Sequence, residues 1–531
     1  MVAAVAATGL VGSVVPVSGA AAARAEASVS PSAGSIAWSP CPDDDPIMGA
    51  YLRGLECGSL EVPLDHSRPN GGKITLALSR AKHTAADAQY QGVVLLNRGQ
   101  WPGPIGRDLP TRFARGTTGL PTEVGATYDW IGFDPRGVGA SEPMVTCDPA
   151  YVYPGQARPD YVPRTAAEEQ VWLGKAREFA ESCGRKYGNV LKHLNTKDTA
   201  RDLDLIRQAL GQQQISYLGY DYGTYLGSVY ASMFPHRVRR MVLDSVVRPS
   251  GVWYEANLAQ NVAFQKRAEV YFSWIAKYDS VYHLGTTAAE VEANYDKGMA
   301  MVREAPVDGK IGPAEYNDIF MVDTYRIFSW LDHAKVLADW VLRNDPAGLR
   351  ANFVELDYHD YRGQNSYAMY TSVVCADASW PRDWTVWHDD YSRQYRSGDR
   401  FLTWYNAWYN APCAFWPVPA GKPQKVGDRD VDILLVHPEN DAETPVAGAY
   451  EVHELFPNSR FILEVGGNHH APSLSAAGTA CLNGYVSAYL KDGTRPTSSR
   501  GADAYCAASP APDPTAQAPS TATVAAAPSP R

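Results

Sequence analysis

Hydrophobic positions in the first half of the chain fall into short continuous runs separated by turn residues. Such runs lie at Gly92–Leu96, Tyr128–Phe133, Ile215–Leu218 and Arg240–Leu243. Because a continuous apolar run of this length is typical of a strand covered on both faces, these segments predict strands of a buried parallel sheet. The earlier segment Lys73–Leu78, which follows two glycines, predicts a hairpin strand.

A helical pattern separates two of these predicted strands. Apolar residues recur at helical spacing between Thr199 and Leu210, and Gly211 stands just beyond the last of them. Strand patterns resume much later, at Asp432–His437 and Arg460–Val465. Strands that alternate with helices predict an α/β protein with a mostly parallel sheet.

The region between the two groups of strands has a different composition. Residues 246–425 hold ten of the fourteen tryptophans and fifteen of the thirty-one tyrosines, mainly in helical patterns. We interpret this region as an inserted, mainly helical lid, in which most rings pack in a core and some line a substrate cavity. The core then comprises residues 36–245 and 426–506. Residues 507–531, almost all Ala, Pro, Ser and Thr, predict a disordered tail.

Composition and charge narrow the functional classes. The 531 residues carry a formal charge of −10, with 45% hydrophobic and 20% charged residues. These values favour a soluble globular protein and exclude a nucleic-acid partner, since no basic patch is evident. Residues 1–35 predict a signal peptide with a linker, and hence secretion; a stable membrane anchor is disfavoured because Pro16 interrupts the apolar stretch.

Eight cysteines are present, and none of them forms a C-x-x-C pair. No histidine cluster has zinc spacing either, so we expect disulfides in an oxidising compartment, with no metal and no cofactor. Pairing in sequential order is one of the 105 possible arrangements. The assembly state is left open.

The strongest chemical signal is the segment Gly219–Gly223, which follows a predicted strand and opens a predicted helix. Small residues around one central residue at such a turn are typical of a nucleophile elbow, and Asp221 is the central residue here. The backbone N–H of Tyr222 would be one donor of an oxyanion hole.

Two further residues follow in the chain order of α/β-hydrolases. Asp441 comes just after the strand ending at His437, and His469 follows the next strand after a Gly-Gly-Asn turn. We therefore predict a triad of Asp221, His469 and Asp441. His470 is the alternative histidine, because nothing in the sequence separates the two neighbours decisively.

Several segments resemble the secreted actinobacterial tripeptidyl aminopeptidases. The similar segments are Glu56–Asp65, Tyr128–Ser141 and Gly223–Gly227, and Cys481–Cys506 resembles the C-terminal domain of that family. The resemblance spans residues 38–506 and implies the α/β-hydrolase fold, with a serine peptidase as the ancestor.

Two positions depart from that family at the expected reaction centre. The family has serine where this chain has Asp221, and a Gly-rich loop where this chain reads Asn97–Gly103. On both points the chain resembles epoxide hydrolases of the same superfamily, which have an elbow aspartate and a Trp-Pro-Gly loop. We expect Gln100 or Trp101 to supply the second oxyanion donor.

The chemistry of a carboxylate directs the functional prediction. Attack on an amide would produce an anhydride, whereas attack on an epoxide carbon gives a stable ester that the histidine and water can hydrolyse. We therefore predict an enzyme that opens an epoxide of a bulky small molecule, for instance an aromatic secondary metabolite, with a lid tyrosine as proton donor. Asp221 could instead act as a general base. The alternatives are an inactive family member that binds peptides, a serine-peptidase variant, or a peptidase with another nucleophile.

Overall fold

The computed structural model describes residues 34–45, 47–99, 105–114, 118–151, 155–353 and 361–516, without the side chains of 361 and 362. The predicted signal segment up to residue 33 lies outside this part of the chain. Within the described residues, no helix is long and apolar enough to cross a membrane.

One ten-stranded sheet organises the fold, in the order β1-β2-β3-β5-β4-β6-β7-β8-β9-β10. Its first three pairings, from β1 to β5, are antiparallel, and the pairings from β5 to β10 are parallel. The strands are β1 (Ser39–Pro40), β2 (Glu56–Pro63), β3 (Lys73–Ala81), β4 (Val93–Asn97), β5 (Asp129–Asp134), β6 (Ile215–Tyr220), β7 (Val238–Asp244), β8 (Ile433–Pro438), β9 (Arg460–Val465) and β10 (Ala504–Ala507).

Helices connect and cover these strands. They are α1 (Leu109–Ala114), α2 (Thr122–Gly125), α3 (Ala166–Leu191), α4 (Thr196–Ala209), α5 (Tyr222–Met233), α6 (Tyr254–Lys277), α7 (Asp279–Tyr282), α8 (Ala288–Glu304), α9 (Pro313–Tyr325), α10 (Trp330–Arg343), α11 (Ala347–Asn352), α12 (Tyr361–Asp377), α13 (Trp384–Ser397), α14 (Thr403–Asn410), α15 (Ala447–Leu455) and α16 (Ala480–Asp492). Helices α6 to α14 lie between β7 and β8, where the sequence predicts an insertion.

The sheet is buried on both faces, which explains the continuous apolar runs. In β4, Val93 and Leu95 belong to one core cluster while Val94 and Leu96 belong to another, because neighbouring side chains of a strand point to opposite faces. The predicted α/β fold with a mostly parallel sheet is confirmed.

The aromatic residues of the lid serve mainly as packing. The indole rings of Trp380, Trp387, Trp384, Trp408 and Trp172 stack in series, with centroid separations of 5.0 to 5.7 Å. Trp172 lies on α3, outside the insertion, so this stack joins the lid helices to the core. Burying large aromatic rings stabilises such a contact strongly.

The four disulfides follow the sequential order considered from the sequence. They are Cys41–Cys57, Cys147–Cys183, Cys375–Cys413 and Cys481–Cys506. The last one ties α16 to β10, and the structured part continues beyond that strand. The indole of Trp274 donates to the carbonyl of Pro512 at 2.9 Å, and residues 517–531 of the predicted tail lie outside the described residues.

Candidate active site

The elbow at Asp221 is a strained turn between β6 and α5. Asp221 has φ 48° and ψ −124°, a backbone conformation that L-residues seldom adopt. Close packing around the turn requires glycine, since a Cβ on Gly219 would lie 2.6 Å from the carbonyl oxygen of Gly223. The Asp221 side chain therefore projects from the carboxyl end of the sheet, as the sequence pattern predicts.

The histidine that meets this side chain is His470. Its Nδ1 donates to Asp441, at 2.9 Å from Oδ2, and its Nε2 lies 3.7 Å from Asp221 Oδ2. His469 instead contacts the ring of Phe328 in a tilted arrangement, with ring centroids 4.6 Å apart. The predicted position of the histidine was therefore off by one residue.

Asp441 is held by several donors at once. The backbone N–H groups of Glu443 and Thr444 donate to Oδ1, and the Thr444 hydroxyl donates to Oδ2 at 2.9 Å. Burial alone would raise the pKa of Asp441, but the imidazole of His470 lowers this pKa to about 2. The side chain is thus an ionised partner for His470.

The charge state of His470 follows from its two carboxylate neighbours. Burial alone would lower the pKa of His470, yet Asp441 and Asp221 together raise it well above its ordinary value. The structure therefore favours an imidazolium held between two carboxylates. An imidazolium can donate a proton, but it cannot accept one.

The oxyanion side of the site is built from the start of α5. Tyr222 is the first residue of that helix, and first-turn N–H groups have no partner inside a helix. The hydroxyl of Tyr222 lies 2.8 Å from Thr196 Oγ1, and this hydrogen bond anchors the side chain to the start of α4. Gln100 and Trp101, the other predicted donors, lie outside the described residues. The loop does begin against the elbow, since a Cβ on Gly99 would lie 2.6 Å from Asp221 Cβ.

Lid residues complete the surroundings of Asp221. Burial raises the pKa of the Tyr325 hydroxyl and of the Tyr370 hydroxyl. The negative charges of Glu443 and Asp221 add to the rise in both residues. Glu443 was missed from the sequence, although it lies only two residues after Asp441. Burial raises the pKa of Glu443 to about 7, with the charge of Asp221 adding to this rise.

A buried arginine links the lid to the loop that carries the histidine. Arg267 on α6 donates from Nη1 to Asn468 Oδ1 at 2.9 Å and from Nε to the carbonyl of Thr324 at 3.3 Å. In the same region, the N–H of His470 donates to the carbonyl of Tyr325 at 3.0 Å. The lid thus helps to position the imidazole.

Comparisons with known proteins identify the fold and the family of the chain. A family model described as alpha/beta hydrolase fold matches residues 97–475. Tripeptidyl aminopeptidase of Streptomyces lividans is 40% identical over 448 residues, which cover 83% of this chain and 82% of that protein. Serine protease Hip1 of Mycobacterium tuberculosis (strain ATCC 25618 / H37Rv) is 32% identical over 497 residues. The alignment covers 87% of this chain and 90% of that protein.

Among solved structures, proline iminopeptidase of Mycobacterium smegmatis aligns over 81% of this chain and 97% of its own, with a TM-score of 0.38 and 12% identity. The sequence relatives overturn one prediction. Because chains up to 40% identical over most of their length are named as peptidases, the prediction of an epoxide-opening enzyme is wrong.

Proposed function

The chain belongs to the tripeptidyl aminopeptidase family of α/β-hydrolases, and we propose that it binds the amino-terminal segment of peptides. In this proposal, Asp221 prevents the formation of an acyl-enzyme intermediate. The observation that carries this proposal is the position of His470. It lies 2.9 Å from Asp441 and 3.7 Å from Asp221, so a triad arrangement persists around a changed nucleophile. A peptide-directed site is the function that this arrangement supports best.

The chemistry of the elbow argues against an acyl-enzyme. A serine peptidase needs a hydroxyl that loses its proton to a neutral histidine. Asp221 has no such proton, and the raised pKa of His470, which Asp441 and Asp221 cause against the effect of burial, removes the base. Carboxylate attack on an amide would also form an anhydride, a less stable acyl group than the amide it replaces.

A second function follows from the protonated imidazole. Asp221 can take a proton from a water molecule whose oxygen attacks the peptide carbonyl carbon, while the Tyr222 N–H stabilises the oxyanion. His470 then gives its proton to the leaving nitrogen as the C–N bond breaks. The proton on Asp221 returns to His470, which completes the balance. This would be slow hydrolysis without a covalent intermediate.

The decisive experiment replaces Asp221 with serine. In Asp221→Ser we expect the loss of one carboxylate to free His470 as a base, and cleavage of a tripeptide p-nitroanilide to rise by about a thousandfold or more. Asp221→Ala is the matched control, because it removes the same charge without supplying a hydroxyl. Calorimetry should show that the wild type binds a free tripeptide amide.

The outcomes separate the two functions. Wild-type turnover in oxygen-18 water, with label in the released acid and none in Asp221, would support direct hydrolysis by water. Binding without turnover supports the peptide-binding function. If the wild type binds no peptide and a folded Asp221→Ser variant cleaves none, the peptide-directed proposal is refuted.

We also propose an extracellular location. Four disulfides are formed among the described residues, and such bonds persist in oxidising compartments. Detection in culture medium of a mature chain whose N-terminus results from cleavage within residues 1–35 would test this proposal.

A further inference from the structure

A buried series of hydrogen bonds runs from the lid to the side chain of Tyr222. Asp377, the last residue of α12, accepts the N–H of Thr196 on Oδ1 at 2.7 Å and the Thr196 hydroxyl on Oδ2 at 2.6 Å. The Thr196 oxygen in turn lies 2.8 Å from the Tyr222 hydroxyl. The three residues of this Asp377–Thr196–Tyr222 relay are at most 6% exposed, so solvent competes little for its bonds.

The charge of Asp377 sets the direction of these bonds. Burial raises the pKa of Asp377 to about 6 although the bonds from Thr196 oppose the rise, so at pH 7 the carboxyl is mostly ionised and accepts only. The single hydroxyl hydrogen of Thr196 is used for Asp377, and Thr196 must therefore accept from Tyr222. Burial raises the pKa of Tyr222 well above its ordinary value, and the Asp377 charge adds to this rise, so Tyr222 keeps the proton that it donates.

A second lid residue restrains the same side chain. Trp253, just before α6, donates from Nε1 to Asp377 Oδ2 at 3.3 Å. Its ring centroid lies 6.1 Å from that of Tyr222 and 5.2 Å from that of Tyr225. The phenol of Tyr222 is thus held at its hydroxyl by the relay and along its ring by the indole.

This restraint reaches the oxyanion donor because both belong to one residue. Tyr222 directly follows the strained Asp221 and starts α5, so its N–H has no partner inside the helix. The side chain and the N–H are joined through the same Cα, and a loosely held ring would let that Cα and the N–H shift together. A displacement of about 1 Å in a catalytic group can cost about a hundredfold in rate.

From this geometry we propose that Asp377 is a positioning residue, which acts through Thr196 and the Tyr222 hydroxyl to hold the Tyr222 N–H in the orientation of an oxyanion donor. The inference rests on the proposed peptide-directed site and deepens it. The lid then positions both sides of this site. The carbonyl of Tyr325 holds the N–H of His470 at 3.0 Å, and the end of α12 holds the oxyanion side.

Stabilising the start of α4 requires only part of what Asp377 provides. Asn195 already caps this helix by accepting the N–H of Asp198 at 2.9 Å, and Asp377 Oδ1 accepts the N–H of Thr196. Oδ2 serves the Thr196 hydroxyl and the Trp253 indole instead. A substitution that removes the hydroxyl but keeps the backbone bond therefore separates the relay from the helix cap.

The test measures peptide cleavage in the full chain carrying Asp221→Ser. Adding Thr196→Val keeps nearly the same shape but removes the hydroxyl, and we expect kcat for a tripeptide p-nitroanilide to fall by about 10- to 100-fold with KM unchanged. Thr196→Ser, which retains the hydroxyl, should restore kcat. Asp377→Asn should act like Thr196→Val, because one amide oxygen replaces two carboxylate oxygens that receive three donors.

Thr199→Val is the matched control. Its hydroxyl is buried on the same helix and donates to the carbonyl of Asn195 at 3.1 Å, outside the relay. The same change of side chain should therefore leave kcat at the value of the Asp221→Ser parent.

Hydrogen exchange gives a second readout that needs no turnover. The amide of Thr224 donates to the carbonyl of Asp221 at 2.8 Å and so reports on the order of the elbow. With Asp221 in place, mass spectrometry resolved to single amides should show about tenfold faster exchange at Thr224 in Thr196→Val, and wild-type exchange in Thr196→Ser and Thr199→Val.

Equal exchange at Thr224 in Thr196→Val and the wild type would overturn the inference whatever the activity. A rise in KM with kcat unchanged, or a loss of kcat that Thr196→Ser shares, would assign Asp377 a purely structural role and overturn it as well. If Asp221→Ser cleaves no peptide and the wild type binds none, the proposed function fails, while the exchange measurement still decides whether the relay orders the elbow.

Discussion

Replacing Asp221 by asparagine removes one charge from the site while keeping nearly the same shape. In the wild type, Asp221 Oδ2 lies 3.7 Å from His470 Nε2, and both side chains are largely shielded from solvent. Two unit charges at this distance interact with about 4 kcal/mol at an effective dielectric constant of about 20. This energy corresponds to a change of about a thousandfold in the proton affinity of the imidazole.

Asp441 remains in the Asp221→Asn variant, so His470 keeps one carboxylate partner. We expect the pKa of His470 to fall, and its proton affinity to decrease by at least about tenfold. The wild-type His470 has a raised pKa, so its contribution to stability is lost as the pH rises through that folded-state value. In the variant this loss should begin at lower pH.

The assay is a pH titration of the imidazole signals by NMR, with isotope-labelled histidine. The chain has twelve histidines, and His470→Gln identifies the signal that belongs to this residue. Asp44→Asn changes an exposed residue near the start of the described chain, distant in sequence from Asp221. It provides the control for a generic loss of one negative charge. A His470 titration that is the same in Asp221→Asn and in the wild type would refute the ion-pair reasoning.

Three further substitutions test how the site is held. Gly99→Ala should destabilise the chain by about 3 kcal/mol or more, because a Cβ there would lie 1.9 Å from the carbonyl oxygen of Tyr220; an unchanged melting temperature would contradict this. Asp441→Asn should lower the free energy of unfolding at pH 7 by about 3 kcal/mol. Since His470 lowers the pKa of Asp441 to about 2 against the effect of burial, urea unfolding should show this difference shrinking as the pH falls toward 2. Arg267→Met should cost about 2 kcal/mol, because Asn468 Oδ1 loses its bond from the guanidinium and keeps only the one from Asn440 Nδ2 at 3.2 Å. Equal urea midpoints would exclude that role.

The main strands could be predicted from the sequence because each buries both faces. Runs such as Gly92–Leu96 became strands with alternate residues in two cores. The longest helix, Ala166–Leu191, was missed, although Thr165 accepts from the N–H of Glu168 as an N-cap at its start. Strand Ala504–Ala507 was missed as well, since four residues that depend on pairing with β9 carry little pattern of their own.

The residues of the candidate site also differ in how well the sequence predicts them. Asp221 and Asp441 were predictable because a strained turn and a strand end constrain their neighbours. The sequence could not decide between His469 and His470 as the histidine of the site. Adjacent residues of a loop point in different directions, and contacts with distant parts of the chain determine which of them faces the site. Here the deciding contact is the bond from the His470 N–H to the Tyr325 carbonyl at 3.0 Å, which comes from the lid and has no signature near the histidines.

Under the proposed function, the elbow keeps the shape that is typical of the family while its chemistry changes. The turn depends on the close contacts of Gly219 and Gly223 and on a backbone at φ 48°, and these features place few demands on the side chain at position 221. A carboxylate fits there as well as a hydroxyl does, yet it converts the neighbouring imidazole from a base into an acid. One substitution can therefore change the chemistry while leaving the sheet, the lid and the binding surface of a peptidase in place. A folded Asp221→Ser variant that still failed to cleave peptides would mean that the rest of the site has diverged as well.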